Sequence, residues 1–123
     1  MLGTTTDIDD IQITIMRALA SRHRLRIIHL LGDRALEVNE IARDLGMGQA
    51  SVSQNLAAMR AAGLVEATRE GRSVRYRLTD PEILAACDKL REVLVRRLSM
   101  LGGLAAAAQS NEPSIPIRQV VLP

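Results

Sequence analysis

Residues 38–78 read VNEIARDLGMGQASVSQNLAAMRAAGLVEATREGRSVRYRL, and their pattern decides the fold. Val38, Ile41, Ala42 and Leu45 recur at helical spacing, and Gly46 and Gly48 break the chain behind them. A second helical pattern carries Val52, Leu56 and Met59 among small alanines and ends at Gly63. Two short helices joined by a tight glycine turn make a helix-turn-helix, whose second helix enters the major groove of DNA. Leu64–Arg69 and Ser73–Leu78 then alternate as strands do, with Glu70-Gly71-Arg72 as the hairpin tip. Helix, turn, helix and basic hairpin in that order predict a winged helix, a more specific pattern than either half alone.

Upstream, Asp7-Ile8-Asp9-Asp10 supplies an N-cap and first-turn acids that complement a helix dipole. Ile8, Ile11, Ile15 and Leu19 follow at spacings of three to four and predict a first helix to Ala20. Ser21 caps a second, Arg22 to Leu31, with Leu25, Ile28 and Leu31 on its apolar side and Gly32-Asp33 at its end. The helix-turn-helix pair then spans Leu36–Leu45 and Gln49–Ala62. Downstream, Thr79-Asp80-Pro81-Glu82 fits a capping box with Pro at the first helical position. It opens a long helix whose stripe is Ile83, Cys87, Leu90, Leu94, Leu98 and Leu101. Gly102-Gly103 loosens its end, or the alanines from Ala105 to Ala108 carry it further. The expected organisation is a flexible leader over 1–6, one domain over 7–109 and a tail over 110–123. That tail, with three prolines but several apolar residues, is either free or docked as an extended strand.

Composition fits this plan. A chain of 123 residues suits one domain, and 47% hydrophobic residues suffice for a core. With no Phe or Trp and one Tyr, the core is built from Leu, Ile, Val, Ala and Met, which suits helix packing. So small a core, with a long apolar stripe beside it, favours sharing between two copies of the chain. Net charge is only +2, yet fifteen of sixteen basic residues are arginine, the side chain suited to bidentate phosphate and guanine contacts. From Gln49 to Leu78 five arginines face two glutamates, a local excess of +3. The single Cys87 forbids an intramolecular disulfide and fits a reducing cytoplasm. Neither a signal peptide nor an apolar run of about eighteen residues is present, so no membrane partner is expected. No Ser/His/Asp, Cys/His or paired-carboxylate set suggests an enzyme.

A helix that reads base edges needs short polar side chains on its outer, N-terminal face. Gln49, Ser51, Ser53, Gln54 and Asn55 meet that need, while Val52, Leu56 and Met59 point inward. Gln54 and Asn55 suit adenine N6 and N7. Ser51 serves either DNA or a helix cap. In the hairpin, alternation puts Val74, Tyr76 and Leu78 on a core face and Ser73, Arg75 and Arg77 on the other. Arg72 at the tip and Arg75 are the expected backbone or minor-groove contacts. Arg69 and Arg77 either join them or pair with Glu66 or Glu70 across the hairpin.

The order S-V-S-x-x-L (Ser51 to Leu56), A-G-L-V (Ala62 to Val65) and R-E-G-R-x-x-x-Y-x-L (Arg69 to Leu78) resembles the ArsR/SmtB family of bacterial transcriptional repressors. ALASRHRLRIIHLL (Ala18–Leu31) looks like that family's second helix, so the resemblance covers residues 10–105. It implies a mainly α winged helix-turn-helix with a β-hairpin wing, paired through its first and last helices into a homodimer on double-stranded operator DNA. The competing class is a protein-docking winged helix without specific DNA binding.

The family also implies two usual metal sites. One uses a C-x-C pair at the first helix of the helix-turn-helix, where this chain has Glu37 and Asn39, which offer no soft thiolate. The other uses D-x-H and H-x-x-E on the last helix, where this chain has Asp80 and Glu82, then Val93 and Arg96. Valine and arginine do not complete a zinc tetrahedron. Neither site is expected, and no cofactor is evident. His23 and His29 lie six apart on one helix and do not chelate together. Cys87 either packs in a dimer seam or acts as a redox-sensing thiol.

Overall fold

Asp7 and Ser21 start the first two helices of the computed structural model, which describes residues 7–102. The Asp7 carboxylate accepts the Asp9 amide at 3.1 Å, and the Ser21 hydroxyl accepts the Arg24 amide at 3.4 Å. They open α1 (Ile8–Leu19) and α2 (Arg22–Leu31), and α3 (Val38–Leu45), α4 (Gln49–Ala61), β1 (Val65–Glu70), β2 (Ser73–Leu78) and α5 (Glu82–Met100) follow. The leader 1–6, the extension through Ala105–Ala108 and the tail 110–123 lie outside the described residues.

The turn between α3 and α4 follows from its glycines. Gly46 closes α3 at φ 64°, ψ 35°, a left-handed conformation that costs a residue with a Cβ but not glycine. Gly48 then caps α4 without any side-chain hydrogen bond, so Ser51 is not the cap of this helix. The strands pair antiparallel in the register Val65↔Leu78 through Glu70↔Ser73, with Gly71 at the tip at φ 62°.

Two boundaries differ from the pattern reading. Leu36 is not helical: its amide and carbonyl bond those of Tyr76 at 2.9 and 2.8 Å, adding a one-residue third strand to the hairpin. Backbone groups already spent on a sheet edge cannot enter a helix, so α3 begins two residues later, at Val38. Nor is Thr79 the cap of α5. Its hydroxyl donates to the Gly63 and Leu64 carbonyls at 2.8 and 3.2 Å, and Asp80 instead accepts the Glu82 amide at 2.9 Å.

The described chain forms two compact units, divided after Leu84 near the start of α5. In the first, Ile27, Ile28, Leu31, Ile41, Val52, Leu56, Met59, Leu64 and Val65 are almost wholly excluded from water. Each contributes about 1.5–3 kcal/mol by that burial. Ile15 and Leu19 of α1 pack on this core, whereas Ile8 is 70% and Met16 55% exposed. In the second unit Leu98 is buried, but Leu90 is 59% and Met100 85% exposed. Each unit therefore presents an apolar face to solvent.

Candidate nucleic-acid interface

Successive residues of α4 turn by about 100° around its axis. Val52, Leu56 and Met59 anchor one side in the core. The adjoining arc of its surface exposes Gln49, Ala50, Ser53, Gln54, Ala57 and Arg60 to solvent. Two amides and a hydroxyl offer hydrogen bonds to base edges, and the alanine methyls let the helix approach closely. Sequence reasoning included Gln49, Ser53 and Gln54 but missed Ala50, Ala57 and Arg60. Extending the same period by one heptad from Ser53 would have found Arg60.

Ser51 and Asn55 lie off this ridge, half-buried on the flank toward α2. Asn55 Oδ1 accepts from Arg24 Nε at 3.1 Å, and its Nδ2 donates to the Ser51 carbonyl at 2.8 Å. Both ends of the amide are thus committed inside the protein. A bidentate pair of Asn55 with adenine would have to compete with its bond to a half-buried guanidinium.

The hairpin divides its arginines in a way alternation did not foresee. Arg72 is exposed at the tip and makes no hydrogen bond or ion pair among the described residues. Arg75 turns back onto the body. It donates to the Ala35 carbonyl at 3.2 Å and lies 3.9, 3.8 and 3.7 Å from carboxylate oxygens of Glu37, Glu40 and Glu70. The pairing Leu36↔Tyr76 sets this up, because it brings the start of α3 alongside Arg75. These contacts tie the wing to the start of α3, while 35% of the Arg75 side chain stays exposed. Arg77 stands opposite Glu66 in the register, and both line an open cleft of about 240 Å³ with Asp33 and Arg34. Arg69 stands opposite Val74.

Glu40 has a second task, accepting the Glu37 amide at 2.9 Å as half of a capping box for α3. Glu37, where the family's thiolate pair would begin, is thus engaged in a helix start and an arginine. Among the described residues no three His, Cys, Asp or Glu side chains come together to hold a metal ion. Cys87 is half-buried on α5. Burial pushes its thiol above the ordinary range, the Asp88 carboxylate adds to that, and Arg91 partly offsets both. A thiol so shifted is less nucleophilic at neutral pH.

An exposed polar helix beside an arginine-tipped hairpin is the arrangement of a winged helix-turn-helix DNA-binding fold. The profile of the bacterial regulatory protein arsR family matches residues 21–67. The regulator CmtR of Mycobacterium tuberculosis is 40% identical over 79 residues, covering 64% of this chain and 67% of its own. The structure of HlyU from Vibrio cholerae aligns with TM-score 0.64 and 30% identity, over 72% of this chain and 97% of that one. A homodimeric winged helix-turn-helix DNA-binding domain from Mycobacterium bovis aligns with TM-score 0.63 and 34% identity, over 76% and 90%. The chain belongs to the ArsR family of bacterial transcriptional regulators. No helix among the described residues is long and apolar enough to cross a membrane.

Proposed function

We propose that this regulator is a homodimeric repressor that binds a pseudo-palindromic operator in the cytoplasm and leaves it when a small signal arrives. The observation that carries the reading is the pairing of an exposed polar ridge on α4 with an unengaged Arg72 at the wing tip. Dimerisation is supported by the two exposed apolar faces, Ile8, Ile11 and Met16 on α1 and Leu90, Val93 and Leu94 on α5. Exposed apolar residues in such groups stabilise an assembly once covered. Two copies would set two α4 helices into successive major grooves, one turn of DNA apart.

The signal is a metal at a site other than the two usual ones, another ligand, or oxidation of Cys87. The raised thiol works against the last. The V. cholerae relative is named a transcriptional activator, so the sign of regulation is part of the proposal. Fluorescence anisotropy on DNA from upstream of the protein's own gene tests it, run reduced, with single metals and with a mild oxidant. Tight, salt-sensitive binding that one addition weakens is the expected result. Failure to bind that fragment, and any sequence in a wider screen, would return the chain to the docking-module reading.

A further inference from the structure

We propose that Arg24 and Asn55 are positioning residues that set the rotation of the reading helix, and that neither touches DNA. The inference rests on the DNA-binding reading of α4 and names what aims it. Arg24 is tied on three sides. Its amide is capped by Ser21, its Nη1 donates to the carbonyl of buried Ala18 at 3.2 Å, and its Nε donates to Asn55 at 3.1 Å. One guanidinium therefore joins the end of α1, the start of α2 and the middle of α4.

Partner chemistry determines how the Asn55 amide is oriented. A guanidinium has only donors, so Oδ1 must face Arg24; a backbone carbonyl only accepts, so Nδ2 must face Ser51. That nitrogen also lies 3.5 Å from the Ser51 hydroxyl. Asn55 sits on α4 nearly opposite the exposed Ala50 and Ala57, so the bridge grips the helix on the far side from its reading ridge. A roll of about 10° moves side chains on the rim of a helix, about 5–6 Å from its axis, by about 1 Å. That is enough to take a base-edge hydrogen bond out of its useful distance range. The buried apolar residues of α4 hold its depth, but as non-directional contacts they leave the roll freer than a bidirectional polar bridge does.

The test begins by selecting preferred sequences from a random duplex library with the wild-type protein, then with Asn55→Ala and Arg24→Gln. Affinities for the wild-type sequence are measured by anisotropy. Each single variant is expected to bind about tenfold more weakly, the scale of one charge-assisted hydrogen bond, while selecting the same base preferences. The double variant should be no weaker than either single one. Asn55→Asp keeps an acceptor for Arg24 but sets a second acceptor against the Ser51 carbonyl, and should bind no more weakly than Asn55→Ala. A changed preference at one base pair in Asn55→Ala, additive losses in the double variant, or abolished binding in Asn55→Asp would each overturn the positioning role. The same variants are compared by urea unfolding without DNA, where Arg24→Gln and Asn55→Ala should again be non-additive; additive midpoint shifts would count against the bridge itself. Should the wild type select no sequence while the unfolding midpoints remain non-additive, the DNA-binding reading fails and the aiming role falls with it, although the bridge stands.

Discussion

Replacing Arg75 separates a side chain that binds phosphate from one that holds the wing in place. Arg75→Gln removes a charged donor from the Ala35 carbonyl at 3.2 Å and from three carboxylates at 3.7–3.9 Å, with the side chain 35% exposed. Pairs that long and that open to water contribute little each, so the expected loss of stability is about 1–2 kcal/mol, mostly from the hydrogen bond. The effect on DNA is the sharper readout. Each phosphate contact contributes about −0.9 to the slope of log affinity against log salt, so in the proposed homodimer losing an Arg72 contact from both subunits should flatten that slope by about 1.8. Arg75→Gln alone also leaves an uncompensated charge on the Glu37, Glu40 and Glu70 cluster, which repels DNA at long range. The informative variant therefore combines Arg75→Gln with Glu40→Gln. It keeps net charge unchanged and retains a capping-box acceptor at position 40. Anisotropy titrations across a salt series should show this double variant with weaker binding and an unchanged slope, and Arg72→Gln with a flattened one. A slope lost equally in both would mean that Arg75 leaves the carboxylates to grip phosphate, and the wing-latch reasoning fails.

Other consequences are open to direct measurement. Gly46→Ala places a Cβ where φ is 64° but nothing lies within 4 Å, so the cost is backbone strain alone, about 1 kcal/mol by urea unfolding. A loss above about 3 kcal/mol would mean that the turn is packed more tightly than this. Leu56→Ala opens the fully buried centre of the first unit and should destabilise it by about 2–5 kcal/mol. Met16→Glu puts a charge on the exposed apolar face of α1 and should shift the proposed dimer to a monomer in sedimentation, with its circular dichroism retained. An unchanged dimer would exclude that face from the interface. Because folding raises the Cys87 pKa, the folded state favours the neutral thiol. The associated stability is present below the ordinary thiol range and lost as pH rises through the folded pKa. Alkylation should accordingly show a midpoint above that of an ordinary cysteine, and one below it would restore the thiol-switch proposal.

Periodicity revealed the elements and their order because it reports which side of a helix or strand is apolar. Val52, Leu56 and Met59 are buried where spacing put them, and Tyr76 packs on the core as alternation required. What periodicity leaves open is the destination of a polar side chain. Arg72 and Arg75 are three residues apart in the same hairpin, and their composition treats them alike. Only the pairing of Leu36 with Tyr76, forty residues apart, brings the acids of α3 to Arg75 and none to Arg72. Asn55 poses the same difficulty on a helix. It follows Gln54 in sequence, but one step of about 100° carries it from the exposed ridge to the flank where Arg24 waits. The boundary errors share this cause. Leu36 was apolar enough for a helix and Thr79 polar enough for a cap, yet long-range backbone partners claimed both. In this small domain the residues proposed to bind and those proposed to aim carry the same chemistry. They differ only in whether tertiary structure supplies each polar group with a partner before DNA does.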